Sequence, residues 1–470
     1  MIDVSALRGV LGGSVLTRDD EGFEAARALF NIAVETSPAV IAQCTTTEDV
    51  GQALAFARDS GLPVAVRGGG HSVAGASLVQ DGLVLDLRRM DSVTVDPDAR
   101  TAVVGGGATW GAVDRAAQEH GLATTGGRVS TTGVAGLTLG GGSGWLERKF
   151  GLACDNLLSV DLVLADGRTV TATETEHPEL FWALHGGGGN FGVATSLTFR
   201  LHPLPEFSIA LLLWPHDQGA DVTLRYRDFL AGAPDEVGGA LIYLTGPPEE
   251  FVPPDLVGQL CCAVLVTYTG PEAELRELAA PLLAVPEPGG PAATVLTDIP
   301  YADLQSMLDD PPGFRNYWSA EYLAELPDEA ARRFCASTYD MVCPSPSQQA
   351  LLPWGGAVAR AVDWPMRHRD APWVVHPFGL WADPADDERG RRWAHGLRDV
   401  LRPWSTGATY LNFIGDEGAD RVVAGFGEAN YARLARVKAE YDPDDVFNRW
   451  HNIVPATVRR GAGNSVGVTD

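Results

Sequence analysis

The sequence predicts an α+β protein, and two changes of texture along the chain carry that expectation. Residues 38–200 alternate short β-branched runs with helices and glycine clusters. From about Pro205 onward, longer strand-like runs (Ile209–Trp214, Ala240–Leu244, Leu260–Tyr268) alternate with amphipathic helices such as Pro271–Leu283. Such strand–helix units predict a largely antiparallel sheet covered by helices on one face. At 470 residues the chain exceeds one ordinary core, so it is expected to divide. The boundaries read as 1–205 with a core at 36–205, 206–414 for the sheet layer, and a C-terminal segment over 415–470.

The first region opens on the strand Ala39–Ala42, followed by a helix that starts at a capping box of Thr45 and Glu48. That helix runs to about Arg58 and stops at Gly61, a usual residue just past a helix end. Strands follow at 62–66 and Leu83–Leu87, then a hairpin of Val93–Val95 and Thr101–Val104 around an Asp-Pro-Asp turn. A helix spans about Trp110 to His120. Further on, Trp373–Leu380 and Thr409–Phe413 read as strands. Residues 284–294 read as a loop by composition, and the residues from Ala456 onward as a loose tail.

Composition excludes several functions. A net charge of −26 argues against nucleic acid and against anionic membrane surfaces. Met1–Arg8 lack a basic segment leading into an apolar one, and no apolar run reaches the ~18 residues of a membrane span. The six cysteines form no CxxC pair and no zinc spacing, so reduced thiols and a cytoplasmic protein are expected, with no metal site.

Chemistry concentrates in glycine. Val66-Arg67-Gly68-Gly69-Gly70-His71-Ser72 follows an apolar strand. Three consecutive residues without Cβ let backbone N–H groups approach an anion such as phosphate, with a histidine beside it. Gly105-Gly106-Gly107-Ala108-Thr109-Trp110-Gly111 is a poor dinucleotide fingerprint, because its third glycine is displaced and no acidic residue closes a second strand. His368-Arg369-Asp370 imitates a kinase loop without the accompanying motifs. Glycine loops at 68–70, 105–107, 126–144 and 186–189 within one α/β region suggest an extended ligand bearing phosphates and a flat ring.

These segments resemble the berberine-bridge-enzyme-like branch of the covalent flavin oxidases, from near residue 20 to about residue 455. Four motifs carry the resemblance: Val66–Ser72, Thr131–Trp145, Gly151–Leu158 with the following Ala165-Asp166-Gly167, and Gly187–Val193. Tyr441–Phe447 and Asn452–Pro455 resemble the family's closing element. The resemblance implies a PCMH-type FAD-binding domain of two α/β subdomains, a substrate domain, and a tail that returns to the FAD domain. It implies cofactor contacts at Arg67, Gly68, Gly69, Gly70, His71 and Ser72, and at Thr131, Thr132, Gly133, Gly136, Leu137, Gly140, Gly141, Gly142 and Gly144. Asn156, Val193 and Asn452 complete that set.

In this family the histidine at His71 is bonded to the flavin 8α-methyl. Many relatives add a cysteine bond, but that position falls on Val129 here, and Cys154 lies in another motif. A single covalent link to FAD through His71, with no cysteinyl link, is therefore expected. The resemblance is strongest to singly linked members of the 6-hydroxy-D-nicotine oxidase and enterocin-forming types. It implies hydride transfer from substrate to flavin N5 and reoxidation by O2 to H2O2. Tyr410 and Asn412, two apart on the expected strand, are the candidate catalytic pair, with Tyr410 as general base or hydrogen-bonding partner. Tyr243, Leu352, Trp354 and His376 are candidate pocket residues. The apolar run Leu351–Trp354 favours an aromatic or aliphatic alcohol, or a polyketide-like molecule, over a cationic amine. Thr132 and Leu137 match the enterocin-type site, so a flavin-N5-oxide oxygenase is the alternative, with nicotine-type amine oxidation another.

Overall fold

The computed structural model describes residues 2–284, 289–307, 309 and 311–457. Residues 285–288 of the expected loop, and the expected tail beyond Thr457, lie outside the described residues. Three sheets build the N-terminal part, one of them only the pair Leu122–Ala123 with His202–Pro203. Val40–Gln43, Leu83–Asp86 and Val64–Arg67 pair in parallel, with Val15–Thr17 added antiparallel at the edge. The all-buried Leu83–Asp86 lies between two parallel partners, which is why it is apolar on both faces. The second, five-stranded sheet is antiparallel and contains the expected hairpin, Val93–Asp96 with Thr101–Gly105.

The capping box lies one residue later than expected. Thr46 is the N-cap of helix Thr47–Asp59, and Asp49 is the residue that bonds back. Asp49 also accepts from the N–H of Gly12 and the hydroxyl of Thr45, so tertiary contacts favour the shorter carboxylate over Glu48. Gly61 ends the helix at φ +64°, as its position predicts.

The remaining sheet has eight strands, all antiparallel. Its centre is Leu260–Tyr268, Val237–Thr245, Gln348–Pro353 and Trp373–Trp381. Helices Gly219–Ala231, Asp328–Ala336 and Asp387–Leu401 cover one face. There Tyr226, Phe334 and Leu397 pack on Tyr243, Leu351 and Val375 of the strands. Strand alternation sends Ala240, Ile242, Ala350, Leu352, His376 and Phe378 to the opposite face, where they line a cavity. Sheet period thus separates a structural face from a chemical one.

Two expectations fail locally. The helix expected over Pro271–Leu283 is two pieces, Glu272–Leu278 and Ala280–Leu283, because Pro281 has no N–H to continue the ladder. Thr409–Phe413 is not a strand: Leu411–Phe413 is a 3-10 turn, closed by the Phe413 N–H on the Tyr410 carbonyl at 3.0 Å.

The chain then returns to the N-terminal part. Helix Glu428–Tyr441 lies against helix Pro178–Ala183. Lys438, fully buried, donates to Asp442 Oδ2 at 2.6 Å and to the carbonyls of Asn190 and Phe447 at 2.7 and 2.8 Å. All six cysteines are free, and five are buried. No helix among the described residues is long and apolar enough to cross a membrane.

Candidate active site

The large cavity, about 330 Å³, lies between the glycine loops and the inner face of the eight-stranded sheet, within the size range of small-molecule sites. Its near wall is Gly68–Ser72, Gly106, Val129, Thr132, Gly133, Gly136 and Leu137. Its far wall is Ile242, Gln348, Ala350, Leu352, His376 and Phe378, with Trp318 alongside. Asn412, Phe413 and Ile414 close one end, and Phe447, Arg449 and Trp450 of the returning tail contribute as well.

The loop chemistry fits a dinucleotide. The N–H groups of Gly69, Gly70, His71 and Ser72 have no acceptor among the described residues, and Gly70 takes φ +78°. Consecutive free N–H groups at such a turn form a concavity for anionic oxygen. A Cβ on Gly69 would stand 2.3 Å from the Gly133 nitrogen, and one on Gly106 would stand 2.1 Å from the Ala194 carbonyl oxygen. Glycine is therefore required where the first and second motifs touch, and the residues present fit the pyrophosphate of FAD.

His71 lies half-buried in this wall. Its Nε2 shares a 2.9 Å hydrogen bond with Thr131 Oγ1, and its ring stacks on Phe30 at 4.4 Å. Burial pushes its pKa down to about 4, only partly opposed by Asp309, so the imidazole is neutral at neutral pH and one of its two ring nitrogens keeps a free lone pair.

Several expected site residues are placed elsewhere, each for a physical reason. Arg67 turns its guanidinium away to the carbonyls of Ala26 and of Ala28, the latter at 2.6 Å, and anchors the N-terminal segment. Gly140, Gly141, Gly142 and Gly144 are packing glycines: a Cβ would meet Asn412, Met366, Ala153 and the Gly126 carbonyl, respectively, at 2.0, 2.6, 2.3 and 1.7 Å. Asn156 ties the carbonyls of Phe150 and Leu152 to His202. Val193 is buried in the core, and Asn452 donates to Asp445. Tyr243 faces the helices and bonds Thr223, while Trp354 packs edge-on against Tyr322 and Tyr410. Of the expected pocket residues, Leu352 and His376 line the cavity.

Tyr410 is not poised as a base. Its hydroxyl accepts from the N–H groups of Gly142 and Ser143 at 2.7 and 3.0 Å and from Asn412 at 3.0 Å, behind the second glycine motif. Burial raises its pKa far above the ordinary phenol value despite those bonds. Asn412 does reach the cavity, its amide fixed by the Leu137 carbonyl at 2.9 Å.

Sequence reasoning missed Arg128, which lines the cavity with its charge held by Glu147 at 2.7 Å and Ser143 at 2.8 Å. Its place directly before Val129 was the available signal. Phe378, two residues beyond His376 on one strand, was legible from period-2 alternation, whereas Trp318 on a remote edge strand carried no signal.

Comparison with known proteins agrees with this geometry. Residues 38–173 match the family model described as FAD binding domain, and 409–454 match berberine and berberine like. The FAD-linked oxidoreductase YgaK of Bacillus subtilis is 31% identical over 95% of this chain and 97% of its own. The (R)-6-hydroxynicotine oxidase of Paenarthrobacter nicotinovorans is 31% identical over 94% of this chain and 97% of its own. The crystal structure of 6-hydroxy-D-nicotine oxidase from Arthrobacter nicotinovorans superposes with a TM-score of 0.84 at 29% identity, covering 94% of this chain and 98% of that one. A PCMH-type flavin fold with a glycine-lined cavity defines an FAD-dependent oxidoreductase. The chain belongs to the berberine-bridge-enzyme-like family of FAD-linked oxidoreductases.

Proposed function

We propose that the protein is an oxidase of apolar or aromatic, hydroxyl-bearing small molecules, with FAD held by a single covalent bond through His71. One observation carries the single tether: His71 lines the cavity as a neutral imidazole, while Val129 occupies its wall and none of the six cysteines does. The substrate class is supported by the far wall, where Ile242, Ala350, Leu352, Phe378 and Trp318 present apolar and aromatic surface. Among the described residues no Asp or Glu lines the cavity, so a cationic amine would find no counter-charge there.

When bound, FAD would supply the redox chemistry, accepting a hydride from the substrate carbon that O2, with the proton from the substrate hydroxyl, would carry away as H2O2. The chain's own residues bind and orient. The free N–H groups of Gly69–Ser72 hold anionic oxygen, and the opposed sheet and 3-10 turn exclude water from the substrate. The part played by each segment is proposed as FAD binding by 1–205 with the tail, and substrate selection by 206–414.

The test is acid precipitation of purified protein, which should give a yellow pellet from wild type and a colourless one from His71→Ala. Peroxide release from a panel of aromatic alcohols, phenolic polyketides and amines then assigns the substrate. Flavin fully released from wild type by acid would reject the covalent bond, and turnover confined to amines would reject the substrate class.

A further inference from the structure

With Tyr410 turned away, the cavity needs another group to receive the substrate's proton. Among the described residues, the titratable side chains that line it are His71, Arg128, His376 and Arg449. His71 is assigned to the flavin, and the two arginines stay charged. We propose that His376 is the base of the reaction: its Nε2 accepts the hydroxyl proton of the substrate. This rests on the oxidase reading above.

The geometry fixes the ring. His376 Nδ1 lies 2.9 Å from the Ser319 carbonyl oxygen, which accepts only, so Nδ1 carries the proton and Nε2 the lone pair. Ser319 is itself tied down, its hydroxyl donating to Glu417 Oε1, while Glu417 Oε2 accepts from Arg398 and Arg421. The imidazole stacks on Phe413 at 4.2 Å and meets Trp318 edge-on at 5.8 Å. No protein group among the described residues engages Nε2.

Burial, aided by the positive charge of Arg128, pushes the His376 pKa down to about 4. Arg128 is the charge that faces it; Phe413, Trp318, Phe378 and the cross-strand partner Ala350 carry none. A base this weak suffices here. As the C–H electron pair leaves with its hydrogen for bound FAD, the hydroxyl becomes that of a protonated carbonyl, a strong acid. The O–H bond breaks, Nε2 gains the proton and the C=O π bond forms; bound FAD would hold the hydride until O2 took it together with the proton released from Nε2, as H2O2.

Two measurements on holoenzyme test this. First, binding of 2-naphthol and naphthalene is followed by perturbation of the flavin absorbance. Wild type should prefer 2-naphthol by about 10-fold or more, and His376→Phe should lose that preference while keeping the flavin absorbance. An unchanged preference, or none in wild type, overturns the proposal. Second, His376→Asn, which keeps a donor for Ser319, should lower kcat by about 10²–10⁴-fold with an alcohol that wild type oxidises. Undiminished turnover in His376→Asn overturns the base while leaving the oxidase reading intact. Wild type that binds 2-naphthol through His376 yet oxidises no alcohol rejects the oxidase reading and, with it, the proton transfer.

Discussion

Asp114 shows what a buried carboxyl without a full set of partners does to this protein. Its Oδ2 accepts from Gln305 at 2.9 Å, its Oδ1 has no partner, and burial pushes its pKa up to about 7. The folded chain keeps that proton where the unfolded chain, with a carboxylate pKa of about 3.9, has released it. Stability from this site is therefore fully present below about pH 4 and is lost as pH rises toward 7. Asp114→Asn should raise Tm at pH 8 and change it little at pH 4, as measured by thermal unfolding at both. Gly69 gives the opposite kind of residue effect. A Cβ there would stand 2.3 Å from backbone, so Gly69→Ala should yield protein with little or no bound flavin, read from the ratio of absorbance at 450 to 280 nm (about the flavin and protein maxima). At His376 the lowered pKa places loss of activity on the acid side: kcat/KM should hold at neutral pH and fall as pH drops toward about 4.

At the scale of elements, the long strands were legible and the turns were not. Leu260–Tyr268 and Trp373–Trp381 announce themselves because burial on both faces demands long, largely apolar runs, with His376 the exception that faces the cavity. Tyr410-Leu411-Asn412 offers a polar–apolar–polar alternation that reads as a strand, yet it turns, its Tyr410 hydroxyl captured by the N–H groups of Gly142 and Ser143, some 270 residues away in the chain. No local pattern encodes such a partner. The site was legible to the same degree: the loop with His71 follows from composition, while the proton acceptor depended on which face of Trp373–Trp381 the helices cover. The returning tail depends on one element contact. Lys438 is paired with Asp442 at 2.6 Å and wholly buried, and removing one partner of such a pair leaves a buried charge without its counter-ion. Lys438→Met should destabilise the protein by about 3–5 kcal/mol in denaturant unfolding, and Asp442 is the residue whose joint replacement recovers part of that loss.

Across the whole molecule, one cavity is assembled from widely separated stretches of chain, among them the His71 loop, the Arg128–Trp145 motif, the Gly189–Ala194 turn, the inner sheet face, the Asn412–Ile414 turn and the Phe447–Trp450 tail. A ligand that touches all of them binds only the folded state, so it adds stability by mass action. Flavin-free His71→Ala protein should therefore melt several degrees below the same variant saturated with FAD, in a scan that compares the two. The placement of Trp450 has a further consequence, in the timing of synthesis. A nascent chain exposes its histidine loop early, but the wall containing Phe447, Arg449 and Trp450 is synthesised more than about 370 residues later. At ~5–20 residues per second the interval is on the order of tens of seconds. A cavity wall supplied so late in synthesis predicts that flavin is bound only after Trp450 has emerged, and that a chain truncated before Phe447 retains little flavin, read from its absorbance at about 450 nm.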